Sequence, residues 1–176
     1  MTYIGIDNGV SGAIAIIRDG VVRIHKAPTI CRAKGKGKKL LDEPAMWHLL
    51  QWIGDEEEKA FAVIELAKAY PPRVRKRAQG STSAISIGRG DGLWRGMLVA
   101  AGIPYQVVSP RKWQAALFVG VDRKDTKAAS VIVAKRLFPS VSLRANDRCR
   151  KDDHNMADAL LLAEYARRCY GEQTNK

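Results

Sequence analysis

Apolar residues in this chain fall into short runs separated by glycine, proline and charge, and the period of the runs changes along the sequence. Tyr3-Ile4-Gly5-Ile6 and Ala13-Ile14-Ala15-Ile16-Ile17 are two such runs, joined through Asp7-Asn8-Gly9 and Ser11-Gly12. They predict a β-hairpin with an acid at the end of its first strand. Asp19-Gly20 suits a two-residue hairpin turn, so Val21 to His25 reads as a third strand of an antiparallel meander. Asp42-Glu43-Pro44 opens a helix in which Met46, Leu49, Leu50 and Ile53 recur at helical spacing, ending around Gly54. Phe61-Ala62-Val63-Ile64-Glu65 is apolar without alternation, as in a strand buried on both faces and parallel to its neighbours. Like the first strand, it ends in a carboxylate.

In the second half, Ser81 or Thr82 caps a helix running through Ala101, with Gly88, Gly92 and Gly96 on one face. Three glycines cost about 1 kcal/mol each relative to alanine. A smooth face packed against the sheet, or against the same helix of a second subunit, would offset that cost; a loop around Gly88-Arg89-Gly90 is the other reading. Ile103 to Val108 is a further strand, stopped by Ser109-Pro110, and Arg111-Lys112-Trp113 begins a short helix. Lys124 to Leu137 predicts an amphipathic helix, with Ala128, Val131 and Ile132 sorted from Lys135 and Arg136. Asp152-Asp153-His154 leads into a strong last helix, Met156-Ala157-Asp158-Ala159-Leu160-Leu161-Leu162-Ala163, with acids in its first turns as the helix dipole prefers. No repeat or linker interrupts residues 1–176, a length suited to a single domain.

Charge narrows the function. A formal net charge of +12 favours a polyanionic partner, nucleic acid before an anionic membrane. No apolar run approaches the ~20 residues of a membrane span. The N-terminus has no signal-peptide pattern, and Cys31, Cys149 and Cys169 are unpatterned, so a cytoplasmic protein with reduced thiols and no structural zinc is expected. Lys34 to Lys39 reads as a charged loop, ordered on phosphates or simply solvated. Directly after Glu65, Tyr70 joins Arg73, Arg75, Lys76 and Arg77, an aromatic with cations that suits base stacking and phosphate contact. Lys112 and Lys124 extend this candidate DNA-contacting set.

The chemistry sits in the acids. Asp7 and Glu65 close two strands, and Asp158 lies on an otherwise apolar helix face, where a carboxylate is costly unless paired or bound to a cation. Three acids gathered in so basic a protein would repel one another. Mg²⁺ resolves the conflict: it takes hard oxygen ligands, and two metal ions clamping a scissile phosphate need three or four carboxylates. His154 lies four residues before Asp158 and shares its helix face, whereas Asp153 reaches the site only from a cap position.

Taken together, Ile4-Gly5-Ile6-Asp7-Asn8-Gly9-Val10-Ser11-Gly12, Val63-Ile64-Glu65 and His154-Asn155-Met156-Ala157-Asp158-Ala159-Leu160 resemble the three acidic motifs of RuvC-type Holliday junction resolvases, most closely the phage-encoded members. The resemblance spans nearly the whole chain in order. It implies an α/β, RNase H-like fold, a mixed five-stranded sheet with helices on both faces, working as a homodimer on four-way DNA junctions in the host cytoplasm. It also implies Asp7, Glu65 and Asp158 as ligands of two Mg²⁺, with Mn²⁺ able to substitute. The fourth ligand of the family, Asp or His, sits one turn before the last acid. Here Asn155 stands three residues back, which leaves the role to Asp153 or His154. Tyr70 is a displaced candidate for the aromatic that stacks at the junction centre, and Gly88, Gly92 and Gly96 are the candidate dimer face. Two other readings stand beside this one. One is a non-catalytic DNA-binding protein of the same fold. The other is an ATP-using enzyme of the actin and sugar-kinase type, which shares the Gly-Ile-Asp-x-Gly opening but is usually much longer and needs a second phosphate hairpin.

Overall fold

A computed structural model describes residues 1–31, 39–54, 59–67 and 81–171. Strands β1 (Thr2–Asp7), β2 (Ala13–Arg18) and β3 (Val21–Lys26) form the expected antiparallel meander. Asp19 and Gly20 both have positive φ, 47° and 78°, as a tight two-residue hairpin requires. A two-stranded ribbon, β4 (Thr29–Cys31) with β5 (Lys39–Leu41), precedes helix α1 (Glu43–Gly54). The ribbon was not predicted, because its strands are three residues long and flank a charged stretch; residues 32–38 of that stretch lie outside the described residues.

Strand β6 (Ala60–Glu65) runs parallel to β1, and β7 (Tyr105–Val108) parallel to β6, giving one mixed sheet in the order β3-β2-β1-β6-β7. Its faces are covered by different helices. Ile4, Ile6, Ile14, Ile16, Ala62 and Ile64 pack with α1 and α2 (Ser81–Ala100) through Met46, Leu50, Ile53, Trp94 and Leu98. Ala13, Ala15, Ile17 and Val63 face the other way, toward α3 (Pro110–Leu117), α4 (Thr126–Leu137) and α5 (His154–Tyr170). Burial on both sides explains why β1, β2 and β6 are continuous apolar runs.

Three expectations are corrected. The last strand begins at Tyr105, not Ile103, because Gly102 (φ 67°) closes α2 and the Ile103 amide donates to the Leu98 carbonyl at 2.9 Å. That is a Schellman closure, and Pro104 has no N–H to offer a ladder. Helix α4 begins at Thr126 because the Asp125 side chain caps it, accepting from the amides of Lys127 and Ala128. Its buried face is Ala129, Ser130, Val133 and Ala134, while Ala128 and Ile132 are exposed. Small side chains let α4 approach α5, and that outweighs the apolar bulk of Ile132.

The stretch around Gly88 is helical, yet its glycines do not pack on the sheet. A Cβ at Gly88, Gly92 or Gly96 would meet nothing within 4 Å, and the buried Trp94 and Leu98 lie on the opposite side of α2. Gly5 is the tight position. A Cβ there would lie 2.0 Å from the Ala159 carbonyl oxygen and 2.2 Å from the Ala163 nitrogen. Glycine lets the backbone of α5 rest directly on β1. Gly5→Ala is therefore expected to lower the free energy of unfolding by about 3 kcal/mol, the upper end of overpacking costs, because helix backbone cannot yield as a side chain can. Urea unfolding measures this, and parent-like stability would mean that α5 does not lie on β1 as described.

Candidate active site

Strand periodicity puts two acids on one face. Tyr3 packs toward α5 and Gly5 lies beneath it, so Asp7 points to the same side. In β6, Phe61 and Val63 face α5, and Glu65 follows them. The parallel register pairs Ile6 with Ile64, which brings the next residues, Asp7 and Glu65, to the same end of neighbouring strands. Helix α5 supplies Asp158, one residue before the carbonyl that touches Gly5. The three sequence-predicted acids thus converge from three elements.

Each is held by a neighbour. Trp113, fully buried at the heart of α3, donates its indole N–H to Glu65 Oε2 at 2.9 Å. Asp7 Oδ1 accepts from the Gly9 amide at 3.4 Å. Ser130 of α4 lies 2.5 Å from Asp158 Oδ1 and 3.0 Å from the Thr126 carbonyl oxygen. One hydroxyl hydrogen serves one acceptor at a time. The hydroxyl hydrogen therefore alternates between the Thr126 carbonyl and Asp158 Oδ1.

The electrostatics follow. Burial pushes the Asp7 carboxyl up, against the Gly9 amide and the charges of Lys26 and His154. Burial likewise raises Asp158, to about 7; the Ser130 hydrogen bond opposes the rise, and the charges of Glu65 and Asp7 add to it. Asp153 behaves differently. Burial raises it, but the hydrogen bond and charge of Lys26 and the amides of Asn155 and Met156 outweigh burial and hold it below the ordinary range. Asp153 is the cap of α5, and Lys26 Nζ lies 2.7 Å from its Oδ2. The same ammonium donates to the Ser11 carbonyl, binding the β1–β2 turn, β3 and the α5 cap together. His154 is the half-buried first residue of α5. Among the described residues, no three Asp, Glu, His or Cys side chains stand grouped as a metal site: the acids repel one another but keep their protein partners.

Lys112 and Lys124 are exposed, on α3 and just ahead of α4. Tyr70, Arg73, Arg75, Lys76 and Arg77 lie outside the described residues. Asn8, Trp113 and Ser130 were not picked out from sequence. Asn8 is almost fully buried; its side-chain amide donates to the Glu65 carbonyl at 3.1 Å and to Asp91 Oδ1 at 2.8 Å, joining the ends of β1 and β6 to α2. Gly90 allows that approach, since a Cβ would lie 2.5 Å from the Asn8 carbonyl oxygen. An Asn beside an acid in a glycine-bounded turn was the one signal for it.

No family model matches the chain, and no curated protein matches it in sequence. Solved structures do. Thermus thermophilus RuvC in complex with Holliday junction substrate matches with a TM-score of 0.53 at 12% identity, over 97% of each chain. A structure of Thermus thermophilus RuvC alone gives a TM-score of 0.54 at 14% identity, over 96% of each chain. The chain has the RuvC fold. At such identity the likeness is one of architecture, and it spans the RuvC chain almost end to end.

The raised Asp158 carboxyl gives a signed prediction. Between its ordinary value of 3.8 and about 7, the unfolded chain has released a proton that the folded chain keeps, so stability falls as pH rises through that window. In chelator, Asp158→Asn is expected to be more stable than the parent by up to about 4 kcal/mol at pH 8, with the gain vanishing near pH 4. Urea unfolding across pH measures it, and a gain independent of pH would refute the assignment.

Proposed function

We propose that this protein is a structure-selective endonuclease that resolves four-way DNA junctions by paired, metal-dependent phosphodiester hydrolysis. The observation that carries the reading is the convergence of Asp7, Glu65 and Asp158 on one sheet face, where burial raises Asp158 and the charges of Glu65 and Asp7 add to the rise. Support comes from the RuvC fold along the whole chain, from the junction bound in one of the matching structures, and from the net charge of +12.

The donor set fits Mg²⁺. Hard carboxylate oxygens that repel one another are a ready counter-charge for a divalent cation, and Mn²⁺ takes the same ligands. Asp7, Glu65 and Asp158 would hold it, with Asp153 or His154 as the fourth group. When bound, such ions activate water and stabilise charge developing on the phosphate. The rest belongs to the protein. Trp113 fixes the rotamer of Glu65, and Ser130 fixes that of Asp158. Asn8 keeps the two strand ends together, and His154 or Asp153 orients the attacking water and takes its proton.

Paired cuts across a junction need two sites, so we assign a homodimer. The outer face of α2 is its candidate surface: Gly88, Gly92 and Gly96 are open there, between Ile85 and Val99, which are 70% and 68% exposed. Gly92→Arg, placed in open space, is expected to leave the fold intact and shift the protein from dimer to monomer in sedimentation velocity. A parent protein that is monomeric at micromolar concentration, free and on junction DNA, would overturn the assignment.

The direct test is cleavage of a synthetic four-way junction beside linear duplex in Mg²⁺ and Mn²⁺. Paired nicks on opposite strands of the junction alone, lost by at least ~10³-fold in Asp7→Asn, are the expected result. Junction binding with no cutting in either metal would favour the non-catalytic DNA-binding reading.

A further inference from the structure

Residues 144–152 form a loop whose base is built into the candidate site. Its ends are tied where the Asp153 amide donates to the carbonyl of buried Leu143 at 2.8 Å, and Asp153 is itself the cap of α5. The loop has internal order. The Arg148 amide donates to Asn146 Oδ1 at 3.0 Å, and the Cys149 amide to the Asn146 carbonyl at 3.0 Å. Its return limb is pinned to α4 by Asp152, which pairs with Lys135 at 2.5 Å.

On this loop Arg144, Arg148, Arg150 and Lys151 are all exposed. Among the described residues none of the four makes a salt bridge or a side-chain hydrogen bond. Asp147 is the one acid among them, and Asp152 is already paired. A solvated tail would spread such charges apart, but this loop is tied at both ends, which confines all four to one short stretch of surface. An extended anion is the complementary partner for such a stretch, and three of the four are guanidiniums, whose forked donors match phosphate oxygens. Across the site, the exposed Lys127 is close enough to bear on Asp158.

We infer that residues 144–152 are a phosphate-gripping loop that binds the backbone of a DNA strand beside the catalytic acids. The inference rests on the proposed junction nuclease, and its test separates the two. Metal-free binding of a labelled four-way junction, followed by fluorescence anisotropy over a range of KCl, needs no cleavage. The variant carries Arg144→Gln, Arg148→Gln, Arg150→Gln and Lys151→Gln, all exposed positions whose backbone contacts remain. A control carries Lys59→Gln and Arg168→Gln, at the far ends of β6 and α5.

Each phosphate contact contributes about 0.9 to the slope of log K against log salt, so the loop variant should lose about 2–3 from the slope and bind at least ~10-fold more weakly at 0.1 M salt. The control should keep nearly the parent slope. An unchanged slope in the loop variant, or an equal loss in the control, overturns the loop assignment and leaves the nuclease reading standing. A parent that does not bind the junction overturns both.

Discussion

The arrangement depends on one close approach, the backbone of α5 lying on β1 at Gly5. Helix and strand are usually separated by two layers of side chains. Here one layer is missing, because Gly5 has no side chain and Ala13, Ala15, Ala159, Ala163 and Ala166 around the contact are small. Contact at that depth fixes the height and rotation of α5 over the sheet, and so decides where Asp158 points. With the helix a few ångströms higher, Asp158 would be an ordinary surface carboxylate, solvated and independent of Asp7 and Glu65. The site is in this sense a consequence of packing, and the glycine in the first motif matters for the acid in the last.

Packing of that kind works against electrostatics. Burial raises both Asp7 and Asp158, and the charges of Glu65 and Asp7 add to the rise in Asp158, which reaches about 7. The fold leaves the repulsion largely in place. Lys26 offsets Asp7 by its charge, but its ammonium is committed to Asp153 and the Ser11 carbonyl. Trp113 and Ser130 supply direction to the carboxylates with little charge. Groups are held in orientation and left short of positive charge, an arrangement suited to receiving cations.

Much of the architecture was legible because local rules and burial agree. Continuous apolar runs gave β1, β2 and β6, the Asp19-Gly20 turn gave the meander, and an acid at each of two parallel strand ends gave half the site. What was missed depends on partners distant in sequence. Ile132 looked like core, yet the face of α4 that is buried is Ala129, Ser130, Val133 and Ala134. Ile103 looked like strand, but its amide is used to close the preceding helix. Trp113 read as the start of a short helix, and nothing near it in sequence shows that its indole meets Glu65, 48 residues away. The glycine stripe of α2 was legible as a stripe, but only the structure turns it away from the sheet.

The buried Asn8 shows how the outer helix and the site share one support. Its side chain reaches the end of β6 through the Glu65 carbonyl and reaches α2 through Asp91, which is paired in turn with Arg95 at 2.8 Å. An amide buried so fully must have its donors satisfied, at a cost of about 1–3 kcal/mol for each one lost, so α2 cannot slide along the sheet without leaving Asn8 unpaired. The turn that carries Asp7 and the helix that carries the open glycine face therefore hold each other in place. One polar side chain sets the position of the first acid relative to the surface proposed to meet a second subunit, and two such subunits would present their acids at a spacing fixed by covalent geometry and packing rather than by flexible loops.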